Sequence, residues 1–382
     1  MTSDLPPSDR DMFPDDASVM QYALRIAAQG IGSVEPNPAV GAVITTPQRK
    51  LIASGFHQRY GLDHAEINAI RNASGTTAGN DLYVTLEPCS HFGKTPPCAD
   101  AVIAAGFRRV LIGCEDPSEK VSGQGIRKLR AAGIDVVSGI CEPEAKRLIA
   151  PFQMLHCQHR PWVHAKWAMT MDGLIATSSG HSRWISGTAS RQYVHEVRGR
   201  MDAIITGGGT VRRDNPLLTA RPPGARTALR VVLDSTGLSL DTSRQLLSTA
   251  REVPLLVCVT ERASEQTVRA LKSAGADVLV TEGTLNGQVP QELVLRHLAS
   301  LSLTHVMLEC GSTLMGAFFD ASLVDELHVF IAPRIAGGAD AFRPVGGTGL
   351  PQIPDPSNLT RCRWQQLGDD MLFEADILRP NW

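Results

Sequence analysis

Two regions of the chain alternate short apolar runs with amphipathic helical patterns, and this alternation limits the possible folds most strongly. A helical pattern over Ala17–Gln29 precedes two strand-like runs, Val40–Ile44 and Leu51–Phe56, which predict a hairpin. Helices and strands then alternate as far as residue 137, and the alternation resumes at residue 162. Alternating helices and strands form α/β layers around a partly parallel sheet. The sequence therefore predicts an α/β protein with two such regions.

The length of the chain and the segment between these two regions predict two domains. The chain has 382 residues, whereas one hydrophobic core rarely extends beyond about 250–300 residues. The segment Pro151–Pro161 separates the two alternating regions, so we expect one domain over residues 1–155 and another over 156–382. Further strands are expected at Leu82–Leu86, Val110–Gly113, Ile134–Val137, Ala203–Thr206, Arg230–Leu233, Leu255–Val259, Asp277–Val280, His305–Leu308 and His328–Ala332.

Charge and hydropathy indicate the compartment and exclude some partners. The formal net charge is −2, which gives no general attraction to nucleic acid or to an anionic membrane. The N-terminal region is acidic and lacks the apolar core of a signal peptide, and no apolar run is long enough to span a bilayer. Eight cysteines in a chain of this length are too few for a disulfide framework. We expect a cytoplasmic protein without membrane or nucleic-acid partners.

One histidine and two cysteines have the pattern of a zinc site. His64 follows Asp63, a good N-cap residue, and is expected in the first turn of a helix. Cys98 follows two prolines at the predicted start of another helix, and Cys89 follows a strand. One imidazole and two thiolates leave the fourth position of a tetrahedral zinc ion open, which is typical of catalytic zinc sites.

Glu66 is the candidate proton carrier of this site. It lies two residues after His64, so on a regular helix it would point away from the ion, although it could reach a water molecule there. The His-x-Glu and Pro-Cys pattern is the signature of zinc-dependent nucleobase deaminases. Two alternatives remain open: a non-catalytic zinc module, with His91 as the fourth ligand, and a nucleic-acid deaminase, which the charge balance disfavours.

The segments around these residues resemble the deaminase half of the bifunctional riboflavin-biosynthesis deaminase–reductases. The resemblance is carried by Pro36–Ile44, which contains Asn37, by His64–Glu66, and by Glu87–Cys98 with its long spacing between the cysteines. It implies a cytidine-deaminase-like α/β/α domain that binds one Zn²⁺ per chain through His64, Cys89 and Cys98. It also implies that Glu66 is catalytic and that Asn37 binds substrate.

The C-terminal half has no Gly-x-Gly-x-x-Gly motif after a strand, so a Rossmann cofactor site is not supported. Gly207–Gly209 follows a predicted strand and offers backbone amides to a nucleotide phosphate. A tight glycine turn with no ligand is the alternative interpretation of this segment.

Several segments of this half resemble the reductase half of the same family. They are Lys166–Gly173, Ser182–Ser186, Asp202–Arg221, Glu309–Leu314 and Leu323–Leu327. The resemblance implies a dihydrofolate-reductase-like α/β domain that uses NADPH. The residues that it assigns to the cofactor are Ala168, Trp184, Thr210, Asp214, Ser235, Gly311, Ser312, Thr313, Leu314, Met315, Gly316 and Ala317. Those that it assigns to the substrate are Ser182, Arg198, Leu218, Arg221 and Glu309.

Together these resemblances imply a bifunctional enzyme that acts on a small phosphorylated pyrimidine. The first domain would remove the ring amino group of a diaminopyrimidine that carries a ribosylamino phosphate, and the second would reduce the ribosyl group to ribityl. Arg198 and Arg221 suit a ribose phosphate because a guanidinium fork matches its oxygens. Asp214 is the candidate for a proton role in the reduction, and a homo-oligomer, a dimer or a tetramer, is expected. Retention of only one activity is the alternative.

Overall fold

The computed structural model describes residues 12–91, 96–118, 122–355 and 358–378. The chain divides into two compact units, Met1–His159 and Arg160–Trp382. The boundary expected after residue 155 instead falls inside a helix, Ala150–Gln158, which ends at His159 with a left-handed backbone of φ 52°. Pro151, which suggested a linker, lies in the first turn of that helix, where proline costs no hydrogen bond.

Unit 1 is a five-stranded sheet with helices on both faces. Its strands follow the order β2-β1-β3-β4-β5, in which β1 runs antiparallel to β2 and β3, whereas β3, β4 and β5 are parallel. The strands are β1 Gly41–Thr45, β2 Leu51–Phe56, β3 Asp81–Leu86, β4 Arg109–Cys114 and β5 Asp135–Ser138. The helices are α1 Asp16–Ala27, α2 Ala65–Asn72, α3 Cys98–Ala104, α4 Gln124–Ala131, α5 Glu142–Leu148 and α6 Ala150–Gln158, with a 3-10 turn at Ala28–Gly30.

The two faces of this sheet build two cores, because successive strand residues point to opposite sides. Val43, Tyr83 and Leu111 pack against α1, whose Met20 is fully buried. The alternate residues of the same strands, with Val84 at the centre, join a second core with α2, α3 and α4. This is the α/β/α arrangement expected from the sequence, and the predicted hairpin is confirmed.

Unit 2 is a nine-stranded sheet in the order β10-β9-β8-β7-β11-β6-β12-β14-β13. All neighbours are parallel except β12–β14 and β14–β13. The strands are β6 Trp162–Thr170, β7 Ala203–Gly207, β8 Leu229–Leu233, β9 Leu255–Thr260, β10 Asp277–Thr281, β11 His305–Leu308, β12 Glu326–Ala332, β13 Leu359–Leu367 and β14 Asp370–Ile377. The helices are α7 Thr188–Arg198, α8 Gly208–Asp214, α9 Gln245–Ser248, α10 Glu265–Ser273, α11 Gln291–Ser300 and α12 Ser312–Asp320.

The strands predicted from apolar runs are all present, with ends shifted by no more than one or two residues. The β13–β14 hairpin was not predicted. Most of β13 is polar and exposed, because it pairs with β14 at the edge of the sheet and needs no apolar face. Among the described residues, no helix has both the length and the apolar character that crossing a lipid bilayer requires.

Candidate active sites

His64, Cys89 and Cys98 reach one point of unit 1 from three different elements. His64 is the N-cap of α2 rather than a residue of its first turn, and its backbone is extended. The expected capping role of Asp63 is wrong, because its carboxylate pairs with Arg71. Cys98 is the first residue of α3, as predicted, and Cys89 lies in the segment after β3.

The distances between these side chains fit a single zinc ion. Nδ1 of His64 lies 3.2 Å from Sγ of Cys98 and 3.7 Å from Sγ of Cys89. All three ligand atoms lie within 4.8 Å of one another. Ligands bound about 2.0–2.3 Å from a tetrahedral ion stand roughly 3.5 Å apart. Within the described part of the chain, this group has three members, and the exposed His91 is not among them.

The electrostatics of this group favour a bound cation. A hydrogen bond from the Cys98 thiol, opposed by burial and reinforced by His64, lowers the pKa of Cys89 to about 4. The same contact with Cys89, together with burial, raises the pKa of Cys98. The hydrogen bond to Cys89 raises the pKa of His64. The backbone N–H of Cys98 also donates to Sγ of Cys89 at 3.3 Å. A thiolate in this group would attract a cation.

Glu66 lies beside this group and is almost completely buried, with 3% of its surface exposed. Its carboxyl group is hydrogen-bonded to the Cys98 side chain. Burial, followed by the negative charge of Cys89, raises the pKa of Glu66 to about 7. The expectation that Glu66 points away from the ligands is wrong because His64 precedes the helix, so helical spacing does not separate the two side chains.

His57 was not predicted from the sequence, and it positions Asn37. Its Nδ1 lies 3.0 Å from the carbonyl oxygen of Asp63, and its Nε2 lies 3.3 Å from Nδ2 of Asn37. A carbonyl oxygen only accepts, so Nδ1 carries the proton and Nε2 accepts from the Asn37 amide. The His57 ring also contacts the His64 ring edge-on, with centroids 5.3 Å apart. Asn37 is thereby placed near the ligand group.

Glu87 is a second residue whose role the sequence did not reveal. Its buried carboxylate accepts hydrogen bonds from the backbone N–H groups of Asp116, Gly123 and Ile126, at 3.0–3.2 Å. The last two belong to the N-terminal end of α4, so Glu87 ties that helix to the strand end that leads to Cys89. The carboxylate next to Pro88-Cys89 was its only sequence signal. Part of the loop between the cysteines, residues 92–95, lies outside the described residues.

A second group of charged residues lies at the carboxyl edge of the unit 2 sheet. Strand β11 lies between β6 and β7, so its end brings Glu309 close to Lys166 of β6. Arg198, the last residue of α7, donates from Nε to Oε1 of Glu309 at 2.6 Å and from Nη2 to Oε2 at 2.7 Å. Nζ of Lys166 lies 3.8 Å from Oε2 of Glu309. Ligands of open α/β sheets bind at such an edge.

The charges of this group are strongly coupled. Burial alone would raise the pKa of Glu309, but Arg198 and Lys166 outweigh it and lower the pKa to about 2. Burial lowers the pKa of Lys166, and Glu309 only partly opposes it. Lys166 was assigned no role from the sequence. A lysine among the alternating residues of a buried strand was the signal that could have identified it.

The residues of unit 2 that were predicted to bind substrate differ in their exposure and in the contacts they already make. The guanidinium fork of Arg198 is occupied by Glu309, so it does not present itself to a phosphate as the sequence suggested. Arg221 is exposed and donates from Nη1 to Oγ1 of Thr219 at 3.2 Å. Leu218 is buried with a left-handed backbone, and Ser182 is half-buried. Arg221 is therefore the more exposed of the two arginines.

Two of the predicted cofactor segments meet at the end of β7. Strand β7 ends at Gly207 and α8 begins at Gly208, so these glycines form a direct strand-to-helix junction. Gly311, just before α12, lies close to Thr210 of α8. A Cβ atom added to Gly311 would be 3.7 Å from Oγ1 of Thr210. Ser235 follows β8, and its carbonyl oxygen accepts from Thr260.

Other predicted cofactor residues have contacts of their own. Trp184 is 63% exposed. The guanidinium carbon of Arg191 lies over its indole ring, 4.8 Å from the ring centre. The backbone oxygen of Asp214 accepts from Arg183. Burial raises the pKa of Asp214, and the charges of Arg183 and Arg213 oppose that shift. Ala168 pairs with Phe330 between β6 and β12.

Two family models match the chain, one for each unit. The model described as the cytidine and deoxycytidylate deaminase zinc-binding region matches residues 14–114. The model described as the RibD C-terminal domain matches residues 161–373, which is more than half of the chain.

Curated relatives and solved structures match nearly the whole chain. The riboflavin biosynthesis protein RibD of Actinobacillus pleuropneumoniae is 37% identical over 98% of this chain and 98% of its own length. The RibD protein of Escherichia coli is 34% identical over 93% of this chain and 98% of its own. The crystal structure of a diaminohydroxyphosphoribosylaminopyrimidine deaminase/5-amino-6-(5-phosphoribosylamino)uracil reductase from Thermotoga maritima superposes with a TM-score of 0.81 at 33% identity, and covers 95% of this chain and 98% of its own.

These matches cover both units and both charged groups. They favour the bifunctional interpretation over a single retained activity, a non-catalytic zinc module or a nucleic-acid deaminase. The chain belongs to the RibD family of bifunctional riboflavin biosynthesis enzymes, with a deaminase domain of the zinc-binding type followed by a reductase domain.

Proposed function

We propose that unit 1 removes an amino group from the ring of a diaminopyrimidine that carries a ribosylamino phosphate. We further propose that unit 2 reduces the ribosyl group of the product with NADPH. The cluster of His64, Cys89 and Cys98 beside the buried Glu66 carries the first assignment. The pair of Lys166 and Glu309 at the sheet edge supports the second.

His64, Cys89 and Cys98 would hold one zinc ion, and the close spacing of their three ligand atoms supports this assignment. Bound zinc supplies the chemistry of an activated water molecule at neutral pH. Glu66 would take one proton from the attacking water and deliver it to the ring nitrogen. It would then carry a second proton, from the hydroxyl group left on the ring carbon, to the amino group that departs as ammonia. A carboxyl group whose pKa is about 7 can both accept and release a proton at neutral pH.

Asn37 would bind the pyrimidine through the amide group that His57 orients. Because Nδ2 of Asn37 donates to His57, its carbonyl oxygen is directed to other donors, such as the N–H groups of the substrate ring. His57 would thus act as a positioning residue.

In unit 2 the residues at the ends of β6, β7, β8 and β11 would hold the cofactor, including Ala168, Thr210, Ser235 and Gly311. NADPH supplies a hydride when bound. Lys166 would supply the accompanying proton to the ribosyl group, because burial favours loss of its proton and Glu309 holds it in place. Lys166 therefore replaces Asp214 as the first candidate for the proton role, and Arg221 would meet the phosphate.

The deaminase assignment is tested by Glu66→Gln, with ammonia release and zinc content measured on the same preparations. We expect full zinc content and a loss of deaminase turnover of at least ~100-fold, because an amide cannot carry the proton. The exposed Glu144→Gln in the same unit is the matched control and should behave as the wild type. A Glu66→Gln enzyme that still releases ammonia at the wild-type rate would remove Glu66 from the mechanism.

The reductase assignment is tested with the deaminated pyrimidine as substrate, so that it does not depend on unit 1. Lys166→Met should abolish NADPH oxidation, whereas Glu66→Gln should oxidise NADPH at the wild-type rate. Undiminished NADPH oxidation by Lys166→Met would contradict the proton role.

A further inference from the structure

A second group of metal-binding side chains lies on the sheet of unit 2. Strands β6 and β12 are parallel, and Glu326 stands opposite His164 in their register. His328 follows Glu326 by two residues, so both side chains emerge on the same face. Neither site described above includes these three residues.

Their ligand atoms converge closely. Nδ1 of His164 lies 3.1 Å from Oε2 of Glu326, and Nε2 of His328 lies 3.2 Å from Oε1 of Glu326. One ligand atom from each residue lies within 4.8 Å of the other two. The spacing of the imidazole and thiolate atoms in unit 1 is similar. Three side chains on two adjacent strands could therefore reach a common ion.

The group is shielded from solvent. His164 and His328 are each 6% exposed, and the Glu326 side chain is 15% exposed. Across the described ranges, no donor or acceptor meets Nδ1 of His164 with hydrogen-bond geometry, although the Glu326 carboxylate is close. Nδ1 of His164 and Oε2 of Glu326 are therefore close without a hydrogen bond between them, as two ligands of one ion would be. Oε2 instead accepts from Nε1 of Trp162 at 3.0 Å.

The outer ring nitrogen of His164 has a hydrogen-bond partner, and that of His328 lies near a carboxylate without hydrogen-bond geometry. Nε2 of His164 lies 3.1 Å from Nδ1 of His305, and Nδ1 of His328 lies 3.5 Å from Oε1 of Glu374. The Glu374 carboxylate is itself held by the hydroxyl of Tyr193 at 2.9 Å. Histidines that bind metals usually have such a partner on the other nitrogen, which fixes the ring orientation.

We propose that His164, Glu326 and His328 form a second metal site that binds a divalent transition metal, with Zn²⁺ as the first candidate. Two imidazoles and one carboxylate suit zinc and its neighbours, whereas Mg²⁺ and Ca²⁺ prefer sites made of oxygen atoms. An ion there would link β6 to β12 and stabilise unit 2. The proposal does not depend on the function proposed for either unit.

The competing explanation is a network in which the same imidazoles and carboxylates share protons without an ion. The two explanations predict different numbers of metal ions per chain. The test uses the full chain, stripped with a chelator and titrated with Zn²⁺ and, separately, with Co²⁺. Cobalt bound by cysteine shows an intense thiolate charge-transfer absorption, whereas cobalt bound by histidine and glutamate shows only weaker bands.

We expect two equivalents of metal per chain in the wild type. A Cys89→Ser/Cys98→Ser variant should keep one, without thiolate absorption. Glu326→Gln, which preserves size, should keep only the thiolate site, with binding at the other weakened by at least about tenfold. His297→Asn in α11 is the matched histidine control and should bind as the wild type does.

Binding at the second site should also raise the melting temperature of the cysteine variant, because the ion binds only the folded state. Glu326→Gln should be folded, which circular dichroism checks, and Glu326→Asp provides a second variant that keeps a carboxylate. One equivalent in the wild type and none in the cysteine variant would overturn the proposal in favour of the proton network. The proposal would also be overturned if Glu326→Gln bound the second equivalent of metal at full affinity.

Discussion

Arg198 holds Glu309 with two parallel hydrogen bonds, from Nε to Oε1 at 2.6 Å and from Nη2 to Oε2 at 2.7 Å. Both side chains are largely buried, and Nζ of Lys166 lies 3.8 Å from the same carboxylate. The fork therefore fixes the position of Glu309 and, through it, of Lys166. We therefore expect Arg198 to act on the reductase through Glu309, as a positioning residue.

Arg198→Lys should impair the reductase because a lysine ammonium cannot replace a bidentate fork. We expect reductase kcat/KM to fall by about 10- to 100-fold, and breaking a buried pair should lower the free energy of unfolding by about 3 kcal/mol. NADPH oxidation and denaturant unfolding measure the two effects. The exposed Arg200→Lys is the control. An Arg198→Lys enzyme with unchanged kcat/KM would show that the fork is not needed.

The Glu309 carboxylate should also contribute to acid stability. Its pKa is about 2 in the folded chain, against 4.5 for an ordinary glutamate. A lowered folded pKa stabilises the protein above pH ~4.5, and this contribution is lost as the pH falls toward 2. The contribution is on the order of 3 kcal/mol. Denaturant unfolding of wild type and Glu309→Gln between pH 6 and pH 2 measures it.

The difference between the wild type and Glu309→Gln isolates this group, because the other carboxylates are common to both. The free energy of unfolding of the wild type should decrease more steeply with falling pH than that of the variant. Parallel curves would mean that the pKa of Glu309 is not lowered in the folded protein.

Glu87→Gln should destabilise unit 1 and weaken zinc binding. The amide keeps one oxygen, but it loses the charge that three backbone N–H groups share. We expect a loss of about 1–3 kcal/mol in the free energy of unfolding. Zinc should also dissociate faster, because Glu87 fixes the strand end that leads to Cys89. The exposed Glu115→Gln is the control. Equal stability and zinc retention in both variants would refute the anchoring role.

Removal of zinc should separate the two activities. Dialysis against a chelator should abolish ammonia release, whereas NADPH oxidation with the deaminated substrate should persist well below the melting temperature. Added Zn²⁺ should restore ammonia release in the wild type but not in Cys89→Ser/Cys98→Ser. Deaminase turnover by the fully stripped wild type would exclude a role for the ion.

The positions of the strands could be predicted from the sequence because buried strands produce apolar runs that stand out locally. Long-range pairing produces no such signal. The pairing of His164 with Glu326 joins residues 162 positions apart along two parallel strands, and only the sheet order brings them together. The β13–β14 hairpin was missed for a related reason, since an exposed edge strand has little apolar content.

The grouping of His64, Cys89 and Cys98 could be predicted because a histidine, a His-x-Glu pattern and two cysteines in this order are rare by chance. The contacts of the residues around these three side chains could not be predicted. Asp63 was expected to cap α2, but its ion pair with Arg71 competes for the same carboxylate. The carbonyl partner of His57 and the amide partners of Glu87 are backbone groups, which every residue type carries. Sequence patterns therefore cannot reveal such partners.

The division of the chain after His159 has a consequence for the history of such enzymes. The side chains assigned to ammonia release lie between residues 37 and 98, and those assigned to hydride transfer lie between residues 166 and 317. Each proposed set of side chains lies within one of the two units. Joining two ancestral genes would produce such a chain, and a cut near codon 159 would keep the side chains proposed for each reaction on one fragment.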